Sequence, residues 1–260
     1  MVDNQDIRSC LQSRLTTKFV GRNLFYYPKL PTTMETAREL AKKGAAEGTA
    51  VIAGTQTTGR GRLARTWLSP EGNLAMSVIL MPSMNKLPQL VMIASLAVVK
   101  AIKQVAGLET RIKWPNDIML KGKKVCGILI ENEVKGGKVN FAVIGIGINV
   151  NFQPLDFPEI ADIATSLSHE AGQKISNVEL TSALLLELER LYLEAQAGAT
   201  VYREWQENME TLGKRIKVNT GKSVEQGVAK TVTENGNLLL QRDDGSLIEI
   251  VAGDVTVIKD

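Results

Sequence analysis

Residues 56–67 of this chain, QTTGRGRLARTW, place three arginines, two glycines and one tryptophan in one polar segment between two apolar segments, residues 49–54 and 73–81. Glycines let backbone N–H groups approach an anion closely, arginines match pairs of phosphate oxygens, and an indole can stack on a purine. Arginine-glycine runs also occur in RNA-binding tails, but those repeat over low-complexity sequence, and this segment occurs once. We call residues 56–67 the arginine loop and interpret it as a nucleotide-binding loop.

The segments around the arginine loop predict an α+β fold with a mixed or antiparallel sheet and packed helices. Residues 49–54 are typical of a buried strand, and residues 73–81 alternate, so the arginine loop connects two strands of one sheet. Further strands are predicted at residues 110–114, 124–134 and 138–149, and the last two form a hairpin around residues 135–137. The alternation places one set of side chains of the second strand on the same face: Leu74, Met76, Val78 and Leu80.

Three helices are predicted from capping and periodicity. Thr32 and Glu35 form a capping-box pattern ahead of an apolar stripe that Gly44 can end. The N–H groups at such a helix start can hold an anion or a polar ligand, although a well-capped helix alone explains the pattern. Residues 88–106 predict a long apolar helix that packs on the sheet, and a helix beginning at Ser176 has a leucine face for the core.

The chain divides into three predicted parts: a short N-terminal helical segment (1–23), a catalytic domain (24–211) and a small β domain (212–260). The first contains Ile7, Leu11 and Leu15 at helical spacing and is too short for a helix-turn-helix domain. In the last, turn signals are frequent, and Asn235-Gly236 predicts a two-residue hairpin turn.

Composition narrows the class of protein. The chain has 260 residues, 44% hydrophobic and 23% charged, and a formal net charge of +3 that is too small to imply nucleic-acid binding. Cys10 and Cys126 form neither a disulfide framework nor a metal motif, and Cys126 is expected in the core. The single histidine, His169, is expected at the surface. No signal peptide is visible and the longest apolar run, residues 90–99, is too short for a membrane span, so a cytoplasmic protein is expected.

Two further runs give the sequence its family resemblance. Residues 113–117 are KWPND, followed by KKVCGILIE at 123–131, and residues 143–151 are VIGIGINVN. With the arginine loop, their order and spacing resemble biotin protein ligases from about Leu24 to the C-terminus. The resemblance implies a class II synthetase-like biotin/lipoate ligase fold with a C-terminal SH3-like β-barrel, in a form without the N-terminal DNA-binding domain. It also implies an ATP-dependent ligase that forms biotinoyl-5′-AMP and transfers biotin to a specific lysine of a biotin carboxyl carrier protein.

The implied chemistry needs fixed positive charge. Biotin carboxylate must attack the α-phosphate of ATP, and the two anions repel each other, so cations and Mg²⁺ must offset that repulsion. By resemblance, Arg60 and Arg62 lie along the carboxylate and phosphates, Arg65 reaches the pyrophosphate side, and Lys124 contacts both reacting groups as the main catalytic residue. Lys123 is expected on the opposite face of the strand, where its loss should have little effect.

The resemblance assigns the remaining site residues. Asp117 either holds Mg²⁺ or accepts a proton from the incoming lysine, and is counted as catalytic with Lys124, Arg62 and Arg60. Thr32 and Met34 stand where serine and asparagine are more usual, which leaves the contribution of Met34 open. The implied biotin-binding residues are Thr32, Thr33, Met34, Gln56, Arg60, Gly61, Arg62, Lys124, Gly127, Leu129 and Gly145.

The nucleotide side is assigned in the same way. Trp67 is expected to cover adenine, with a core anchor for the following strand as the alternative. Asn116 is expected to contact adenine or ribose. The implied ATP-binding residues are Arg62, Arg65, Trp67, Asn116, Lys124, Ile148 and Asn149, with ATP and Mg²⁺ as cofactors, biotin as substrate and no bound redox cofactor.

Two other functions remain open. A lipoate protein ligase has similar adenylate chemistry, and a biotin-responsive repressor would fit if the chain were a truncated form. Specific DNA binding and membrane association are not expected, and a homodimer is left open. Which acid supports pyrophosphate exchange separates the two ligases.

Overall fold

The computed structural model describes residues 4–258, and its larger part is one seven-stranded sheet with helices on both faces. The strands follow the order β1-β2-β3-β7-β6-β5-β4; β1 and β2 are parallel and the other neighbours antiparallel. The predicted mixed sheet is therefore confirmed. The strands are β1 (Leu24–Leu30), β2 (Ala50–Gln56), β3 (Leu74–Leu80), β4 (Arg111–Lys113), β5 (Asp117–Leu120), β6 (Lys123–Lys135) and β7 (Lys138–Ile148).

Strand alternation divides the side chains of the sheet between two hydrophobic cores. The larger core holds Met76 and Ile146 beneath two long helices, and the smaller holds Ile79 and Val143 beneath the predicted helix that Thr32 caps. The helices of this part are α1 (Asn4–Arg14), α2 (Thr33–Lys42), α3 (Leu90–Ala106), α4 (Leu167–Ala171), α5 (Asn177–Gln196) and α6 (Tyr202–Glu207). Short 3-10 turns occupy Arg62–Ala64, Met84–Gln89 and Pro154–Asp156. All three predicted helices are confirmed, and α3 and α5 cover the larger core.

The strands β1 and β5 were missed by the sequence analysis. Strand β1 contains Pro28 and lies at the sheet edge, where a missing N–H group is tolerated, and β5 is only four residues long. The β6–β7 hairpin was predicted correctly. Lys135 pairs with Lys138, and Gly136 and Gly137 make the turn at φ of +59° and +74°.

The helical run Met84–Ala106 is long and apolar enough to cross a membrane by length and composition alone. However, 61% of its most apolar window is buried inside the protein, and the buried side of α3 faces the sheet core. The apolar run recognised in the sequence, residues 90–99, is shorter than this helical run. Its burial identifies it as a core helix of the fold.

The N-terminal helix is fixed to the rest of the molecule by apolar contacts and by one carboxylate. Leu11 and Leu15 are buried, as their spacing predicted. After the helix, Glu189 of α5 accepts hydrogen bonds from the backbone N–H groups of residues 18, 19 and 20 at 2.7, 2.7 and 2.9 Å. These hydrogen bonds satisfy the buried carboxyl group of Glu189 and fix the backbone that leads into β1.

The predicted small C-terminal β domain is confirmed as a five-stranded antiparallel sheet in the order β11-β10-β9-β8-β12. Its strands are β8 (Arg215–Asn219), β9 (Val224–Val232), β10 (Leu238–Gln241), β11 (Leu247–Ile250) and β12 (Asp254–Val257). The prediction of a two-residue turn at Asn235-Gly236 is wrong in length, because residues 233–237 all lie between the paired residues Val232 and Leu238. The longer turn reaches the larger domain, where the Gly236 carbonyl accepts from Trp114 Nε1 at 2.8 Å.

Candidate active site

A cavity of about 510 Å³ opens on the α2 face of the large sheet. Its volume falls in the usual range for small-molecule sites. Of the seventeen site residues expected from the sequence, sixteen line this cavity: Thr32, Thr33, Met34, Gln56, Arg60, Gly61, Arg62, Arg65, Trp67, Asn116, Asp117, Lys124, Gly127, Leu129, Gly145 and Asn149. The structure thus brings together three runs that lie far apart in the chain.

Ile148 is the exception and corrects the sequence analysis. It is fully buried in the larger core and does not line the cavity. Side chains alternate along a strand, so Gly145 and Gly147 face the cavity and Ile148 faces the opposite side. The family resemblance implied Ile148 as an ATP-binding residue, whereas its side chain lies in the larger core.

The floor of the cavity is made of small residues in two rows across three strands. Strand pairing aligns Ala75, Gly147 and Gly127 in one row, and Ser77, Gly145 and Leu129 in the next. We call Gly127, Gly145 and Gly147 the glycine floor. Residues directly opposite each other in antiparallel strands share a face, so the register sets this surface.

Each row of the floor supports a different side chain. A Cβ atom on Gly147 would lie 2.5 Å from Cε2 and Nε1 of Trp67, and one on Gly145 would lie 2.5 Å from Sδ of Met34. The Trp67 ring therefore rests on the glycine floor inside the cavity, which disfavours its alternative interpretation as a core anchor. Its Nε1 makes no hydrogen bond within residues 4–258. Met34 is buried beside Gly145 and gives this end of the cavity an apolar wall.

Polar groups at the start of α2 line the Met34 end of the cavity. Thr32 caps the helix by accepting from Met34 N at 3.4 Å. Gln56 Oε1 accepts from the backbone N and the Oγ1 of Thr33 at 2.8 and 3.2 Å, and Ser77 Oγ donates to Thr33 Oγ1 at 2.8 Å. The reciprocal half of the predicted capping box does not form, because Glu35 pairs with Arg38 at 3.2 Å.

Lys124 lies between Trp67 and Asp117. Its Nζ is 5.4 Å from the centroid of the Trp67 ring and 2.6 Å from Asp117 Oδ1. The backbone of Lys124 is also fixed, since its N donates to Ile163 O at 2.9 Å and its O accepts from Thr165 N at 3.0 Å. The lysine is thus held at both its backbone and its charged end.

Lys123 does not line the cavity, in agreement with its predicted place on the opposite face, but its side chain has a partner there. Its Nζ donates to the carbonyl of Ala161 at 2.8 Å. Residues 160–164 form a wall of the cavity that the sequence analysis missed, through Ile160, Asp162, Ile163 and Ala164. Lys123 therefore contacts this wall from outside the cavity.

The arginine loop folds back on itself over the cavity. Trp67 N donates to Gly59 O at 2.9 Å, and Gly61 N donates to Arg65 O at 2.8 Å. A Cβ on Gly59 would lie 2.3 Å from the carbonyl oxygen of Trp67, so this close return needs glycine. At the tip, Leu63 has φ of +52° and is 65% exposed.

Each arginine of the loop pairs with a distant segment. Arg60 pairs with Glu131 of β6 at 3.3 Å, and Arg65 pairs with Asp254 of the C-terminal domain. Arg62 donates from Nη1 to Asn116 Oδ1 at 2.9 Å and to the carbonyl of Gly253 at 3.3 Å. Burial lowers the pKa of Arg62, while the nearby carboxylates of Asp254 and Asp117 oppose that effect.

The two asparagines expected at the nucleotide side are also fixed within the protein. Asn116 Nδ2 donates to Ile128 O at 2.6 Å, so with Arg62 both ends of its amide have partners. Asn149 Nδ2 donates to Thr165 O at 3.0 Å. Lys113 also lines the cavity and was not assigned from the sequence, although it begins the KWPND run.

The buried cysteine and the single histidine do not line the cavity. Cys126 is fully buried, and burial raises the pKa of its thiol, as expected for a core residue. His169 lies exposed in α4 and does not line the cavity. Among residues 4–258 there is no group of three or more acidic, histidine or cysteine side chains that could hold a metal ion.

A mixed sheet with a glycine floor, a loop of paired arginines and a small C-terminal β domain define a protein with a cation-lined site for a small anionic molecule. The model of the Biotin/lipoate A/B protein ligase family matches residues 26–149, and that of the Biotin protein ligase C terminal domain matches residues 211–257. The chain is 44% identical over 237 residues to the Bifunctional ligase/repressor BirA of Bacillus subtilis, covering 89% of this chain and 73% of that protein.

Two further comparisons agree with this result. The Biotin--[acetyl-CoA-carboxylase] ligase of Paracoccus denitrificans is 33% identical over 204 residues, covering 75% of this chain and 85% of that protein. The structure of the biotin protein ligase from Aquifex aeolicus in complex with biotin and ATP superposes with a TM-score of 0.78 at 30% identity, covering 92% of this chain and all of that one. The chain therefore belongs to the biotin protein ligase family and is a ligase.

Proposed function

We propose that this protein activates biotin with ATP to form biotinoyl-5′-AMP and then transfers biotin to a specific lysine of a biotin carboxyl carrier domain. One observation carries the proposal: Lys113 and four cationic residues expected from the sequence, Arg60, Arg62, Arg65 and Lys124, line the same cavity as a polar pocket at Thr33 and Gln56. A small ligand with a polar ring at one end and a carboxylate at the other matches this distribution. The Aquifex relative was solved with both biotin and ATP.

In the proposed binding mode, the ureido ring lies at the start of α2. Gln56 Oε1 accepts hydrogen bonds from Thr33, and this leaves Gln56 Nε2 to donate to the ureido oxygen in the proposed mode. Thr32 and Thr33 supply hydroxyl groups, while Met34 contacts the apolar part of the ring system. The valeryl chain then runs from Met34 toward Lys124, between the side chains that rest on the glycine floor.

In the first step, a carboxylate oxygen of biotin attacks the α-phosphorus of ATP, and pyrophosphate leaves with the electrons of the broken P–O bond. Lys124 and Arg62 lie where both anions must meet and offset their repulsion. Trp67 stacks on adenine, with Asn116 and Asn149 at the edge of the nucleotide. Arg65, at the outer rim, contacts the departing pyrophosphate.

In the second step, the neutral amine of the acceptor lysine attacks the acyl carbon and AMP leaves. Asp117 has two proposed roles, proton acceptor from that amine or ligand of Mg²⁺. Mg²⁺ commonly uses one or two carboxylates plus substrate phosphates, and Asp117 fits that pattern as a single protein ligand. Bound Mg²⁺ would neutralise phosphate charge.

The name of one relative supports the proposed acceptor. The Paracoccus protein is named as a biotin ligase that acts on acetyl-CoA carboxylase. The Bacillus relative is named as a ligase and repressor. Because the formal net charge is only +3, we expect duplex DNA binding by this chain to be weak, non-specific and lost at modest salt. A sequence-specific footprint by this chain would contradict that expectation.

Mass spectrometry of an acceptor domain tests the proposal. The protein, ATP, MgCl₂ and biotin should add one biotinoyl group to the carrier, and a carrier with its target lysine changed to arginine should stay unmodified. Lipoate in place of biotin should give no product. Lipoyl attachment, or biotin-independent consumption of ATP, would contradict the proposed function.

A further inference from the structure

The segment between β11 and β12 brings the C-terminal domain into the cavity. Asp254 lines the cavity wall and pairs with Arg65, while the preceding carbonyl of Gly253 accepts from Arg62 at 3.3 Å. This segment therefore contacts two of the three loop arginines. The contact joins residues 189 positions apart in the sequence.

The two contacts differ in charge. The Gly253 carbonyl is neutral and can share Arg62 with a phosphate oxygen, because a guanidinium has five N–H donors. Asp254 is an anion, and a carboxylate on an arginine takes the place that a phosphate would take. The Asp254 side chain is 26% exposed and that of Arg65 is 66% exposed, so the carboxylate is the more enclosed partner.

Other carboxylates around the cavity do not share this position. Asp117 pairs with Lys124, and Glu131 of β6 pairs with Arg60. Two ion-paired carboxylates of residues 4–258 line the cavity, Asp117 and Asp254. Of these two, Asp254 comes from the C-terminal domain. Its position at the outer rim corresponds to the pyrophosphate end of the proposed nucleotide site.

We propose that Asp254 is a built-in competitor for pyrophosphate: it holds Arg65 when no nucleotide is bound, yields it to the β- and γ-phosphates of ATP, and takes it back when pyrophosphate leaves. This inference rests on the proposed function for the location of the nucleotide. The exposed pair is weak enough for a polyphosphate to displace it. Its return makes pyrophosphate rebinding less favourable and so promotes release of pyrophosphate once the adenylate has formed.

The charge of Asp254 is therefore expected to weaken the binding of pyrophosphate. Asp254→Asn keeps the shape and removes the negative charge, so the variant should bind inorganic pyrophosphate at least about threefold more tightly, and ATP more tightly in the same direction. Pyrophosphate should also inhibit the overall reaction of the variant at a correspondingly lower concentration. A merely structural role for Asp254 predicts the opposite sign, because a loosened segment would weaken both ligands.

Isothermal titration with sodium pyrophosphate and with ATP, both without biotin, tests the inference on the full chain. The matched control is Asp243→Asn, a C-terminal aspartate that pairs with Arg215 at 2.7 Å and does not line the cavity. The control should bind both ligands as the parent does. A second variant, Arg65→Gln combined with Asp254→Asn, should lose the gain, because the competition acts through Arg65.

The outcomes separate this inference from the proposed function. Unchanged or weaker pyrophosphate binding by Asp254→Asn overturns the inference, even where the parent forms biotinoyl-AMP normally. Tighter binding by the variant supports it, even if biotin proves not to be the substrate. If neither parent nor variant binds pyrophosphate or ATP, both the inference and the proposed nucleotide site are wrong.

Discussion

The glycine floor and the arginine loop face each other across one cavity, but different forces fix them. The floor is set by strand register, and its glycines lie in a sheet with a buried core on the other side. The loop is held by side chains from three distant segments: Glu131, Asn116 and residues 253–254. A floor set by strand register can position biotin and adenine before reaction. The arginines of the loop, by contrast, can exchange their protein partners for the anions of the substrates.

The largest effect should come from the cation between the two regions. Lys124→Ala should lower the rate of adenylate formation by at least about 10²-fold with the fold intact, because it removes charge at the reacting centre. Single-turnover formation of biotinoyl-AMP measures this rate. Lys138→Ala, at the exposed β6–β7 hairpin, is the control and should behave like the parent.

Equal losses from Lys124→Ala and Lys138→Ala would show that only general positive charge matters. Lys123→Ala, by contrast, should have an intermediate effect because the lysine contacts the wall at Ala161. An effect of Lys123→Ala on KM for ATP with little change in KM for biotin would locate that wall on the nucleotide side.

A second prediction divides the floor into its two rows. Gly147→Ala places a Cβ 2.5 Å from the rigid Trp67 ring and should raise KM for ATP about tenfold with a smaller change in KM for biotin. Gly145→Ala meets the flexible end of Met34, so it should be milder and should affect KM for biotin instead. Steady-state kinetics with each substrate varied measures both values. The same pattern from both variants would contradict the two-row division.

The floor and the loop also differ in how far the sequence could predict them. The strands of β3, β6 and β7 followed from alternation and from the Gly136-Gly137 turn, which are local signals. The KWPND run and the arginine loop identified most cavity residues through family resemblance. Residues 160–164 and Asp254 carried no such signal, because their place in the cavity depends on tertiary contacts with Lys123, Lys124 and Arg65. Ile148 was implied by the same resemblance, but strand alternation places its side chain in the larger core.

A third prediction concerns the motion of the loop. Arg60, Arg62 and Arg65 offer cleavage sites to trypsin, and the exposed tip at Leu63 has little apolar support. Cleavage within residues 59–67 should be rapid in the free protein and several-fold slower with biotin and ATP together, because their anions pair with the arginines. Timed digestion followed by mass spectrometry measures the rates. Equally slow cleavage in the free protein would mean that the loop is already closed, and biotin alone should give only partial protection.

The smallest effect tests the rigidity of the floor without changing any residue. Cys126 lies in β6 next to Gly127, and burial raises the pKa of its thiol, so it stays protonated and enclosed at pH 8. A thiol reagent should therefore modify Cys10 rapidly and Cys126 only on unfolding. A count of reacted thiols with and without denaturant checks this. Two rapidly reacting thiols in the native protein would show that the floor opens readily.

The most direct test of the account is ATP–pyrophosphate exchange with biotin and with lipoate, measured side by side. A cavity that joins a polar pocket for a ureido ring to these cations should support exchange that depends on biotin and MgCl₂ and is at background level with lipoate. Lys124→Ala should abolish that exchange, and Lys138→Ala should leave it unchanged. Exchange driven by lipoate, or exchange that needs neither acid, would contradict the assignment of the cavity as a site for biotin activation.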